Sequence, residues 1–225
     1  MKYAVALDGP SGAGKSSVAK AVASRLGILY VDTGAMYRAI GLAVLRRGIA
    51  ADDTEGILRT LPTLSVALRH SEGGQRVLLN GEDVSEQIRT GEVAQYASKC
   101  SAVPEVRAFL LDAQRALAAK HSVIMDGRDI GTVILPNAEV KIFLTAQPEA
   151  RAQRRFDELL ARGENVTFEG VLKDIQRRDE QDTNRPIAPL RQAEDAILLD
   201  NSTLDLAQTV QAVLRVIAEK TEVSL

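Results

Sequence analysis

Apolar positions along this chain alternate between short unbroken runs and longer stretches with helical spacing. Tyr3-Ala4-Val5-Ala6-Leu7 is an uninterrupted run, the mark of a strand buried on both faces. Val18, Ala19, Val22, Ala23 and Leu26 then recur at helical spacing. Ile28-Leu29-Tyr30-Val31 predicts a second buried strand ending at Asp32. A helical stretch through Ile40, Leu42, Ala43 and Leu45 follows, with Gly48 as its stop. Farther along, Val123-Ile124-Met125-Asp126 and Val140-Lys141-Ile142-Phe143-Leu144 predict strands. Pro148 to Arg162 and Phe168 to Asp179 predict helices, Ile197-Leu198-Leu199 a last strand, and Leu204 to Glu219 a closing helix. This alternation predicts an α/β fold: a three-layer core with a mainly parallel sheet.

Between about 61 and 84 the pattern changes. Ser65-Val66-Ala67-Leu68, Arg76-Val77-Leu78-Leu79 and Glu82-Asp83-Val84 are short strand-like pieces. Glu72-Gly73-Gly74 separates the first two, and Asn80-Gly81, a strong hairpin signal, separates the others. A small antiparallel β subdomain inserted at about 61–88 is therefore expected, in a single domain whose core takes 1–60 and 90–225. Helical pattern returns from about Ile88 and again after Pro104, a residue suited to a helix's first turn.

Composition narrows the class. With 225 residues, 45% apolar and 26% charged, the chain is long enough to bury a sizeable core and is ordinary for a globular protein. No apolar run approaches the roughly 18 residues of a membrane span. The first strand starts almost at once, which leaves no room for a signal peptide, so a cytoplasmic location is expected. Cys100 is the only cysteine, which excludes an intrachain disulfide and points to a small buried hydrophobe. A formal charge of −2 argues against general capture of a nucleic-acid backbone.

The chemistry begins after the first strand. Gly9-Pro10-Ser11-Gly12-Ala13-Gly14-Lys15-Ser16 fits the phosphate-cradling pattern G-x-x-x-x-G-K-[ST]. Its glycines let several N–H groups converge on one anion, Lys15 can reach a β/γ-phosphate, and the Ser16 hydroxyl can hold Mg²⁺. The helix opening after the loop adds partial positive charge under the phosphates. A nucleoside triphosphate is the expected ligand.

A second cluster, Asp126-Gly127-Arg128-Asp129-Ile130-Gly131-Thr132, ends an apolar strand, where α/β folds place their ligand chemistry. Arg128 can fork onto a phosphate, and Asp129 can accept from an amino group or a second arginine. A surface turn with a local ion pair explains the same residues. The third cluster is rich in arginine: Arg151, Arg154, Arg155, Arg162, Arg177, Arg178, Arg185 and Arg191. Interleaved acids make the upstream members, 151 to 162, a solvated helix face. Arg177 to Pro186 keeps no clean amphipathic period and ends at a proline, so Arg178 and Arg185 are expected on a loop that closes over transferring phosphates.

Taken together, the phosphate loop, Asp32-Thr33-Gly34-Ala35-Met36-Tyr37-Arg38, the segment Asp126 to Thr132 and Arg178 through Pro189 resemble the bacterial cytidylate kinases, a family of P-loop nucleoside monophosphate kinases. The resemblance implies a P-loop core with an inserted monophosphate-binding β subdomain and an arginine-rich lid at about 155–189. It implies transfer of the γ-phosphoryl group of ATP to CMP or dCMP with Mg²⁺, in pyrimidine nucleotide metabolism, by a monomer. Gly9 through Ser17 would bind ATP, with Ser16 on the metal. Thr33, Tyr37, Arg38 and Arg128 would hold the monophosphate, while Ser98, Arg107 and Asp129 would read the cytosine. Arg178, Asp182 and Arg185 would bridge the ribose and the phosphates. Lys15, Arg128, Arg178 and Arg185 would carry catalysis by positioning and charge neutralisation, with no general base. Ser98 and Arg107 rest on the resemblance alone, since each reads as an ordinary exposed helical residue. Asp8 and Asp126 both remain open as the acid nearest Mg²⁺. Two other readings stay open: a P-loop switch protein, and a small-molecule kinase with another acceptor.

Overall fold

The computed structural model describes residues 2–71 and 74–221. The elements run β1 (Ala4–Asp8), α1 (Lys15–Leu26), β2 (Leu29–Asp32), α2 (Thr33–Arg46), α3 (Thr54–Thr60), β3 (Val66–Ser71), β4 (Gly74–Leu79) and β5 (Glu82–Asp83). They continue with α4 (Gly91–Cys100), α5 (Pro104–Lys120), β6 (Val123–Gly127), β7 (Val140–Thr145), α6 (Pro148–Ala161), α7 (Phe168–Asn184), β8 (Ile197–Asp200) and α8 (Leu206–Lys220). The chain divides into two compact units, one formed by Met1–Tyr30 with His121–Leu225 and the other by Val31–Lys120.

The first unit is built on a five-stranded sheet in the order β2-β6-β1-β7-β8. β1 pairs in parallel with both β6 and β7, and β7 with β8. Parallel strands between helical layers are buried on both faces, which is why β1 carries Val5-Ala6-Leu7 without a polar break. Val5 and Leu7 pack with Val18 and Val22 of α1, Ile142 and Leu144 of β7, and Val213 and Ile217 of α8. The β1–β6 register sets Leu7 opposite Asp126 and Asp8 opposite Gly127, so two acidic strand ends lie side by side. α6 and α7 hold a smaller cluster of Ala152, Leu159, Val171 and Ile175, closed by an edge-to-face pair of Phe156 and Phe168.

α7 runs to Asn184, past the Asp179 at which helical periodicity stops, so Arg178 and Asp182 stand on a helix and Arg185 caps it. Apolar spacing misses these turns because ion pairs hold them: Asp174 with Arg177, Asp179 with Arg151, and Asp182 with Arg128. The loop begins only after the cap.

The second unit carries the antiparallel sheet β3-β4-β5. Asn80 and Gly81 both take positive φ, 51° and 86°, as a tight two-residue hairpin requires. The expected separator at Glu72-Gly73 lies outside the described residues. Around the sheet, Met36, Ile40 and Val44 of α2 pack with Ile57, Val77, Leu79, Val93 and Leu110. α3 is not announced by apolar spacing; it starts at Asp53, whose Oδ1 accepts from the Gly56 N–H at 2.9 Å.

Cys100 belongs to this core, fully buried, and burial pushes its thiol up to about 11. The native protein should therefore react with a disulfide reagent at pH 8 more than about 100-fold slower than a free cysteine, and at the full rate once unfolded. Rapid labelling of the folded protein would put Cys100 at the surface.

Candidate functional site

The phosphate loop joins β1 to α1 with a backbone that only glycine permits at its first position. Gly9 has φ of 149°, and a Cβ there would sit 1.9 Å from the Leu144 carbonyl oxygen on β7. That oxygen is fixed backbone, so Gly9→Ala should lower stability by about 3 kcal/mol or more, read as the urea midpoint of unfolding. An unchanged midpoint would mean that the loop does not lie against β7. No side chain caps the start of α1 at Gly14, which leaves its first-turn N–H groups for an anion or water.

Lys15 is buried and turns back on its own loop, donating from Nζ to the Pro10 carbonyl at 2.6 Å. Burial, assisted by the Arg128 charge, pulls its ammonium down to about 7. Next to it, the Ser16 hydroxyl donates to Asp126 Oδ2 at 2.6 Å, and the Tyr30 hydroxyl donates to Oδ1 at 3.3 Å. A hydroxyl and a carboxylate side by side at a phosphate loop are the hard oxygen donors that Mg²⁺ takes, so Ser16 and Asp126 fit that ion.

Asp8 is engaged elsewhere. Its Oδ1 accepts from the Ile130 N–H at 2.8 Å and its Oδ2 from the Gly131 N–H at 2.7 Å. Burial raises its pKa to about 6 against the opposing pull of those two N–H groups. Asp8 thus ties the end of β1 to a single π-helical turn, Ile130–Ile134, directly after Arg128 and Asp129. Of the two acids left open by the sequence, only Asp126 reaches Ser16.

The strand-end segment and the end of α7 meet in two ion pairs. Arg128 Nε lies 2.7 Å from Asp182 Oδ2, and Arg185 Nη2 lies 3.4 Å from Asp129 Oδ1, both partners of the second pair being nearly sealed from water. Four residues that sequence could place only on separate segments are therefore adjacent. Arg178 is half-buried, and burial lowers its pKa from the ordinary arginine value, with the Arg128 and Arg155 charges adding to the effect.

The upstream arginines correct the expectation of a solvated face. Arg155 and Arg162 do stay near the surface, sharing Glu158 at 2.6 and 3.9 Å. Arg151 is 3% exposed and Arg154 is half-buried. Arg154 donates from Nη2 to the Asn201 carbonyl at 2.6 Å, and Asn201 Nδ2 donates to the Ala13 carbonyl of the phosphate loop at 3.0 Å. Interleaved acids cannot reveal this for Arg154, because its acceptors, the Asn201 and Leu204 carbonyls, are distant in sequence.

The second unit holds the remaining expected residues. Asp32 Oδ1 accepts from the Ala35 N–H and caps α2, and its Oδ2 lies 3.9 Å from Arg38 Nη1. Thr33 and Tyr37 are buried in the first turns of that helix. The Arg107 guanidinium stacks over the Tyr37 ring at 5.5 Å and donates to the Ser101 carbonyl at 3.2 Å. Arg107 is thus a buried residue rather than an exposed helical one, whereas Ser98 is exposed on α4.

Comparison with known proteins gives one result at the level of sequence and a weaker one at the level of shape. The family profile described as Cytidylate kinase matches residues 5–219. A cytidylate kinase of Carboxydothermus hydrogenoformans is 49% identical over 97% of this chain and 99% of its own length. One of Caldicellulosiruptor bescii is 50% identical over 95% of this chain and 94% of its own. Among solved structures, a gluconokinase from Sinorhizobium meliloti aligns with a TM-score of 0.51 at 16% identity, over 99% of this chain and 96% of its own. That likeness concerns the fold alone.

Proposed function

The chain belongs to the cytidylate kinase family, and from that premise we propose that it moves the γ-phosphoryl group of ATP to CMP or dCMP, giving ADP and CDP or dCDP. The observation that carries this reading is the convergence, within one unit, of Lys15, the Ser16–Asp126 contact and the Arg128–Asp182 and Arg185–Asp129 pairs at the carboxyl ends of β1 and β6. Ligand chemistry in parallel α/β sheets belongs at those ends.

In this reading residues Gly9 to Ser17 cradle the ATP phosphates, and Ser16 with Asp126 holds Mg²⁺. The ion supplies charge neutralisation on the phosphate oxygens. The acceptor phosphate is anionic and needs no base, so the chain's own work is alignment and compensation of charge. Thr33, Tyr37, Arg38 and Arg128 hold the acceptor phosphate. Ser98, Arg107 and Asp129 read the base, the Asp129 carboxylate accepting from the exocyclic amine of cytosine. Arg178, Asp182 and Arg185 serve the ribose and the phosphates. No helix among the described residues is long and apolar enough to cross a membrane.

The test is steady-state ADP formation from ATP with CMP, dCMP, UMP, AMP or GMP. CMP should be the best of these, and UMP poorer by about 100-fold or more in kcat/KM. A carbonyl in place of the amine leaves the buried Asp129 facing another acceptor. Equal turnover of UMP and CMP would remove Asp129 from base recognition.

A further inference from the structure

All three guanidinium nitrogens of Arg151 are engaged, each with a separate part of the chain. Nε donates to the Ala146 carbonyl just past β7 at 2.8 Å, and Nη1 donates to the Ser11 carbonyl of the phosphate loop at 2.9 Å. Nη2 lies 2.7 Å from Asp179 Oδ2 on α7. The side chain is 4% exposed. Its stem passes the loop at Gly12, where a Cβ would come within 3.2 Å of Arg151 Cβ, so α6 and the loop are in close contact.

Asp179 is the residue next to Arg178. On a helix, Asp179 and Asp182 are one turn apart and share a face. That face is fixed twice, by Arg151 on Asp179 and by Arg128 on Asp182. The two ties differ in kind. Arg128 and Asp182 are residues proposed to meet substrate, so their mutual pair must rearrange when substrate binds. Each of the three nitrogens of Arg151 is held by the protein itself, its partners being two backbone carbonyls and one carboxylate. Neither hydrophobic burial nor the substrate roles above account for a charge held in this place.

We propose that Arg151 and Asp179 are positioning residues: a buried latch that sets α7 against the phosphate loop, so that Arg178 reaches the transferring phosphoryl group in register. The latch rests on the reading that the loop holds the donor triphosphate. It acts through Arg178 and makes no contact with substrate itself.

The experiment is a kinetic double-mutant cycle of Asp179→Asn with Arg178→Ala, measured as CMP-dependent ADP formation below the melting temperature of every variant. Asp179→Asn alone should lower kcat by about 10- to 100-fold with KM for CMP within about 2-fold. In the Arg178→Ala background the same change should alter kcat by less than about 3-fold, because the group it positions is gone. Equal effects in the two backgrounds would overturn the latch, as would an unchanged kcat in Asp179→Asn. A purely structural role would lower the melting temperature and leave the kinetic constants of the folded enzyme intact. Should Asp179→Asn fail to fold, Arg151→Lys replaces it in the same cycle, since a lysine keeps the charge but cannot bond Ser11, Ala146 and Asp179 together. Absence of CMP-dependent ADP formation by the unmodified protein would instead overturn the proposed function, an outcome separate from any of these.

Discussion

Lys15→Ala is expected to lower kcat by about 1,000-fold or more while CMP binds almost as before. The lysine is the one cation of the phosphate loop, and its ammonium is buried within that loop. Charge that develops on the donor side of phosphoryl transfer in so dry a place would meet this ammonium directly, beside the α1 N-terminus and the ion proposed on Ser16 and Asp126. The burial that pulls Lys15 down to about 7 also makes a nearby triphosphate effective in restoring its full charge. Loss of the Pro10 hydrogen bond should leave the fold intact, because the loop path is set by glycine backbone and by the contact of Gly9 with β7. Of the residues proposed for the acceptor phosphate, Thr33, Tyr37 and Arg38 belong to the other compact unit, and only Arg128 shares the unit of Lys15. Calorimetry with CMP, beside single-turnover kinetics with ATP, decides the matter. Complete loss of CMP affinity would make Lys15 a structural residue and end its catalytic assignment.

What could be read from the chain follows the physical range of each signal. Strand runs and helix spacing are local, so β1, β6, β7 and α1 stand close to where the apolar pattern puts them. The phosphate loop is local too: eight consecutive residues carry both its path and its chemistry. The Asn80-Gly81 hairpin needs only two residues. Signals that depend on distant partners were hidden. The last turns of α7 are held by ion pairs to Arg151 and Arg128, which lie far back in sequence, so periodicity ended the helix early. Arg151 and Glu158-bound Arg155 look alike in sequence, yet one binds buried carbonyls and the other keeps near water. Arg107 shows the same limit. Its stacking on Tyr37 joins α5 to α2, and nothing near Arg107 in the chain announces that ring. Asp8 and Asp126 are equivalent acids at strand ends until the register shows Asp126 beside Ser16 and Asp8 under the Ile130 turn.

Arg178→Ala is expected to reduce kcat by about 1,000-fold, since an arginine meeting the charge on a transferring phosphoryl group is worth about 10³–10⁵ in rate. Arg178 is held half-buried on α7, near the positive charges of Arg128 and Arg155. Burial lowers its pKa first, the Asp174 carboxylate opposes that, and the Arg155, Arg177 and Arg128 charges add to it, so a polyphosphate is a ligand that suits this group of cations. Arg76→Ala makes the matched comparison. Arg76 lies exposed on β4 of the antiparallel sheet, 3.8 Å from Asp83, in a surface pair that solvent and salt screen. None of the residues proposed for chemistry lies between Leu64 and Val84, so kcat of Arg76→Ala should stay within about 2-fold of the unmodified enzyme. Both substitutions remove one arginine and one positive charge, so a general loss of charge would move both rates alike. Only a specific role on α7 separates them. If Arg178→Ala turns over normally and Arg76→Ala is dead, the phosphate-contacting arginines lie on the antiparallel sheet, and the roles proposed for Arg178, Asp182 and Arg185 fall together.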